Sequence, residues 1–278
     1  MKNKYATFFL LLAAIITIFL ARAWLASVIA VPRTFEIFDI LTVAGALLVL
    51  LKGYRDLQRT DWITALILGA IVGTETMFAT LFSPYPFLGF VRDSAGQAWV
   101  RGTFTFLVTL GGLALMRQGG PVRFHISDGN WKGAGRGVMI GLAVGLPLAV
   151  LNIFALQSTQ GRSIDWQNPL AALLDALQPG IFEEVIYRFT LWGLLLLALR
   201  NDLPTHAVSA AGLLATLIHG YAHFDDLFLQ SPLMGLGMGA ALIALWGVPP
   251  LLLARRRGLE SAIAFHWIQD AARFLTGF

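Results

Sequence analysis

"GVMIGLAVGLPLAVLNIFAL", residues 137–156, contains no charged side chain. The hydrocarbon core of a bilayer is crossed by about 20 predominantly apolar residues in a helix, so this stretch reads as one span. Comparable apolar runs fall near 5–31, 38–52, 62–82, 99–116, 169–199, 206–224, 229–254 and 258–276. With 57% hydrophobic residues, 13% charged residues and a mean hydropathy of +0.71, the 278-residue chain lies far from a soluble domain. The expected fold is all-α, a polytopic transmembrane helix bundle of about eight or nine spans. The count varies because the 38–52 run is short and Pro179 with Gly180 is expected to break the 169–199 run. The apolar run from Tyr5 is too long for a signal-peptide core and reads as a retained first span.

Charge and cysteine content narrow the function classes. A net charge of +4 with no basic face carrying interleaved aromatics gives no nucleic-acid surface. Zero cysteines exclude disulfides, thiolate metal sites, a cysteine nucleophile and lipidation on sulfur. Basic clusters occur at Lys2 and Lys4, at Lys52, Arg55 and Arg59, at Arg117, Arg123, Lys132 and Arg136, and at Arg255 to Arg257. With nine spans they all fall on one side, which the positive-inside rule makes cytoplasmic together with the N-terminus; Arg200 adds a weaker vote. Arg33, Arg92 and Arg162 form the minority on the other face. Residues 117–136, rich in Gly and basic side chains, read as the only sizeable loop and as a surface linker. Small residues four apart, Gly141 with Gly145 and Gly235 with Gly239, read as close helix packing.

"FEEVIYRF", residues 182–189, sets three ionisable groups inside an apolar run. Such groups at membrane depth are costly and persist where they pair or line a polar cavity. Glu184 and Arg188 stand four apart in the favourable acid-before-base order. Glu183 lies about 100° round the helix from Glu184 with no basic residue three or four positions away, so its carboxylate either suits a general base or joins the other two in one structural ion network at a helix interface. His219 and His223 in "LIHGYAHF", and His266 and Asp270 in "AFHWIQDAARF", repeat the four-residue spacing on later apolar runs. His125 and His206 sit in or beside loops and read as structural or solvated. Glu75 is taken as the one acid in mid-span in the first half, paired or hydrogen-bonded to threonines.

The order EExxxR, then a helix histidine, then HxxxD resembles the CAAX protease and bacteriocin-processing family of intramembrane endopeptidases, related to the Rce1-type prenyl-protein proteases. The resemblance rests on Glu183, Glu184 and Arg188, and on "GLESAIAFHWIQD" with His266 and Asp270, within about residues 175–275. It implies a protease domain over 121–278 and leaves 1–120 as transmembrane helices of unassigned role. In the second motif, FxxxH, Ala215 replaces the usual phenylalanine if His219 is the motif histidine; His223 is the alternative, and spacing favours His219. Tyr187 stands where the family often has phenylalanine.

The resemblance further implies a metal-independent mechanism with no cofactor, acting on a membrane-associated or prenylated peptide or protein substrate at the lipid bilayer of a bacterial plasma membrane. Glu183, helped by His219, would activate water, and Glu184 with Arg188 would keep Glu183 aimed. His266 would donate to the oxyanion. Asp270, where many members have Asn, would accept from His266 unless Arg273 takes it. Rival readings are a zinc protease using His219, His223, His266 and a carboxylate, a non-catalytic scaffold or immunity protein, and a transporter using Glu183 and Glu75.

Overall fold

The computed structural model describes residues 5–278; Lys2 and Lys4 of the charge count lie outside the described residues. Among the described residues the regular structure is helical, with one isolated bridge between Phe87 and Val91. Helices α1 (Ala6–Ala26), α2 (Thr34–Gly53), α3 (Arg59–Phe78), α4 (Ser94–Arg117) and α5 (Trp131–Gln160) are long and apolar enough to cross a membrane. So is the run Pro232–Arg257, made of α11 (Pro232–Leu242), a π-helical turn (Ile243–Gly247) and α12 (Val248–Arg257). Three further runs carry the charged motifs. They are the rod of α6 (Pro169–Asp175), α7 (Leu177–Glu183), a π-helical segment (Glu184–Leu191) and α8 (Trp192–Leu199), then α9 (Ala207–Ala222), and α13 (Leu259–Leu275). The short α10 (Asp225–Gln230) follows α9.

Pro179 interrupts the rod as expected, but only over one residue. Proline has no N–H to give the carbonyl four residues back, here Asp175, and α6 and α7 separate just after it, at Ala176. Helical bonding resumes at once, with Gly180 N–H donating to Ala176 O at 3.1 Å. Gly180 lets α13 approach closely: a Cβ there would lie 3.1 Å from the backbone of Trp267, a tight contact.

α5 and α13 also meet along glycines. A Cβ on Gly141 would run into the carbonyl of Ser261, and one on Gly145 would crowd Phe265. Helices in lipid gain little hydrophobic energy by associating, so close backbone approach of this kind supplies the contact. Side chains such as Leu10, Trp24, Phe154 and Leu233 stay exposed on the outer surface, as a lipid-facing shell requires.

The two ends of the bundle differ in charge. Arg117 pairs with Asp61 at 2.7 Å, Arg255 donates to Pro121 O at 2.7 Å, and Leu259 N–H donates to Arg123 O at 2.8 Å. These contacts gather residues 53–61, 117–136 and 255–260 at one end. At the other end Arg22 meets Asp225 at 3.5 Å and Arg33 meets Asp226 at 3.3 Å.

Two loop expectations need correction. The segment 118–130 is not a surface linker: Val122 and Phe124 are each 1% exposed, Phe124 packs edge-on against Phe189, and Ile126 N–H donates to Glu260 at 2.8 Å. Nor is it the only sizeable loop. Residues 79–93 form a second, pinned where Thr80, Leu81 and Phe82 donate their N–H groups to Asp175 Oδ2 at 2.8, 2.5 and 3.3 Å. Glu75 also differs from expectation, since it lies in the last turn of α3 and the neighbouring Thr76 hydroxyl is spent on Val72 O.

Candidate active site

Glu183 ends α7, and the π-helical segment that follows is buried throughout. Such i→i+5 turns occur mostly as short insertions, often at functional sites. This one holds Glu184, Tyr187 and Arg188 against α9 and α13. Arg188, 2% exposed, approaches Glu184 Oε1 at 3.3 Å and bonds His219 Nδ1 through Nη1.

A guanidinium has donors only. His219 Nδ1 must therefore accept, and the neutral ring carries its proton on Nε2, which donates to Glu183 Oε2 at 2.6 Å. The ring is fixed on both faces of its environment: Tyr187 stacks on it at 4.6 Å and Phe35 of α2 meets it edge-on at 5.8 Å. Ala215 is buried at 1% exposure, and these two rings give His219 its aromatic packing. The Tyr187 hydroxyl donates to Asp39 Oδ1 at 2.8 Å, a use that phenylalanine would not have.

His266 Nδ1 lies 2.9 Å from Glu184 Oε1, and its Nε2 lies 3.3 Å from Asp270 Oδ2 and 3.8 Å from Glu183 Oε2. Asp270 Oδ1 meets Arg273 at 3.1 Å, so Asp270 serves both of its expected partners at once. Glu184 and Arg188 are paired as expected, but each reaches a histidine: Glu184 holds His266 and Arg188 holds His219. His223 is more exposed. Its Nδ1 is 2.9 Å from the His219 carbonyl and its Nε2 is 3.9 Å from Glu183, so His219 is the nearer partner of the glutamate.

Glu183, His219 and His223 offer potential metal-ligand atoms within 4.8 Å of one another. The zinc set considered from sequence included His266, whose ring here sits among carboxylates. A metal-bound histidine normally donates its second N–H to an acceptor. His219 faces an arginine instead, so coordination through Nε2 would require both ring nitrogens to act as acceptors. That donor set does not suit a divalent ion.

The site lies between two cavities, and His223, His266, Asp270 and Arg273 line both. One, about 350 Å³, is polar and includes Glu183, Gln178, Asp39, Arg33 and Arg101. The other, about 270 Å³, is mostly apolar, with Leu156, Leu242, Trp246 and Phe265. Residues of the first half were missed from sequence. Asp39, a carboxylate at the start of the 38–52 run, was a readable signal and is 5% exposed; Arg101 and Arg33 gave none, because they sit at run ends where basic residues are ordinary.

A carboxylate bonded to an oriented imidazole, beside a second imidazole and walled by helices, is an arrangement suited to proton transfer inside a membrane protein. The family comparison narrows this class. Residues 165–272 match the family described as type II CAAX prenyl endopeptidase Rce1-like, so this segment is similar to a family of membrane peptide hydrolases. No curated protein and no solved structure matches the chain.

Proposed function

We propose that Glu183 is the general base of a metal-independent intramembrane endopeptidase, with residues 121–278 as its protease domain and the N-terminal helices as one wall of its substrate cavity. The observation that carries this reading is the 2.6 Å contact of Glu183 with His219, whose tautomer Arg188 fixes, on the wall between two cavities.

Water enters the polar cavity and gives a proton to Glu183 as its oxygen attacks the scissile carbonyl. His219 Nε2–H holds the carboxylate in line. With both ring nitrogens protonated, His266 keeps Nδ1–H on Glu184 and turns Nε2–H from Asp270 to the tetrahedral oxyanion, a contact worth a few kcal/mol in preorganised sites. Glu183 then returns its proton to the departing amine nitrogen as the C–N bond breaks, leaving an acid and an amine. The substrate is a peptide or membrane protein, and the basic end of the bundle, with the N-terminus, faces the cytoplasm.

The test compares peptide termini in membranes of cells carrying the wild type and cells carrying Glu183→Gln at equal expression. Termini that depend on Glu183 are expected. With the substrate present, their absence would favour a scaffold or immunity role for the polar cluster.

A further inference from the structure

The mouth of the site is at the end of the bundle away from the basic clusters. Arg33, Phe82, Tyr85 and Phe87 rim the polar cavity, and all belong to the loop before α2, or to the loop after α3. Tyr85 is 59% exposed there. Thr159 and Phe224 place the apolar cavity toward the same end, since α5 finishes and α10 begins there.

No residue of 54–58, 118–130 or 200–206, the loops of the basic end, lines either cavity among the described residues. That end is closed instead. Phe124 packs on Phe189 of the π-helical segment, Val122 is buried beside it in sequence, Leu259 is 0% exposed, and Arg255 and Arg123 tie the 118–130 loop to the α12–α13 junction.

The charge asymmetry assigns these ends to compartments. Lys52, Arg55, Arg59, Arg123, Lys132, Arg136 and Arg255 to Arg257 occupy the closed end. In the loops of the open end the basic residues are Arg33, Arg92 and Arg162, and Arg33 is paired with Asp226. Short loops rich in Lys and Arg stay in the cytoplasm.

We infer that the site opens on the non-cytoplasmic face, and that its substrate is a peptide segment already carried across the membrane. Water and peptide both need a protein-lined path to Glu183, and among the described residues the polar cavity that Glu183 lines runs to that face. A protein tail lying at the cytoplasmic surface would meet the closed end. The substrate half of this inference rests on the protease reading; the direction of opening does not.

The absence of cysteine makes the test direct. Tyr85→Cys and Asn201→Cys place one thiol at the open mouth and one in an exposed loop of the closed end. In intact cells a charged, membrane-impermeant maleimide is expected to label Tyr85→Cys, and to label Asn201→Cys only after permeabilisation. The opposite pattern, or equal labelling of both in intact cells, overturns the inference. The Glu183-dependent termini should then map to non-cytoplasmic segments, and termini confined to cytoplasmic segments overturn the substrate assignment. If no terminus depends on Glu183 the protease reading fails and the substrate assignment falls with it, while the labelling result still decides which way the cavity opens.

Discussion

Replacing Arg188 tests the central arrangement, because that one side chain touches Glu184 and sets the proton position on His219. In Arg188→Leu the Glu184 carboxylate, 0% exposed, keeps only His266 as a partner. Breaking a buried pair by removing one member costs about 3–5 kcal/mol, much of the stability of an ordinary domain, so little folded protein is expected. Arg188→Lys is the sharper probe. A lysine retains the positive charge near Glu184 but lacks the planar fork that serves two acceptors. Losing one hydrogen bond to a charged group removes about 1.5–3 kcal/mol, which at about 1.36 kcal/mol per decade lowers kcat/KM by about ten- to a hundredfold. The rate is measured on a peptide identified through the Glu183→Gln comparison, with thermal unfolding in detergent confirming that the variant folds. Nitrogen NMR of labelled histidine should place the His219 proton on Nε2 in the wild type. In a His219→Gln background, Arg188→Lys should cost little more. Wild-type kcat/KM in Arg188→Lys, or a proton on Nδ1 of His219 in the wild type, would refute the reasoning.

His219→Ala should reduce kcat/KM far more than His223→Ala, since their Nε2 atoms lie 2.6 and 3.9 Å from Glu183; the reverse order would identify His223 as the motif histidine. Activity should survive a strong chelator, and purified protein should hold well under one equivalent of zinc; loss of activity restored by zinc would show that Nε2 of His219 does bind metal. Tyr187→Phe leaves the buried Asp39 without its hydroxyl donor and should lower stability by about 1–3 kcal/mol, read from thermal unfolding. Adding Asp39→Leu should recover part of that loss, and an unchanged melting curve for the single variant would show that the bond contributes nothing.

The spans were legible because bilayer thickness imposes a length and composition that a run such as 137–156 displays without help from the rest of the chain. The charged motif residues stood out for the same reason, as rare ionisable groups in apolar runs. What each group touches was less legible. Glu184 and Arg188 read as a closed pair at four-residue spacing, yet their second partners, His266 and His219, lie on other helices. Asp39 finds Tyr187 across 148 positions of sequence, a separation that no local pattern encodes. Pro179 read as a break because its missing N–H was visible, and the rod is interrupted at Ala176; how quickly the bonding resumes on either side was not legible. The 118–130 loop read as surface from its glycines and charges, but Phe124 and Val122 fold it inward.

The π-helical segment also solves a problem of phase. Glu183 must point toward α9 and α13, while nine residues on Trp192 directs its indole N–H to Val208 O at 2.9 Å on α9. In an ordinary helix each residue adds about 100° of rotation, so a rod carrying one residue more or fewer would turn one of these faces away. The wider turns absorb that extra residue. They let the reactive half and the anchoring half of one rod keep separate angular settings, much as a splined coupling lets two shafts be clocked independently.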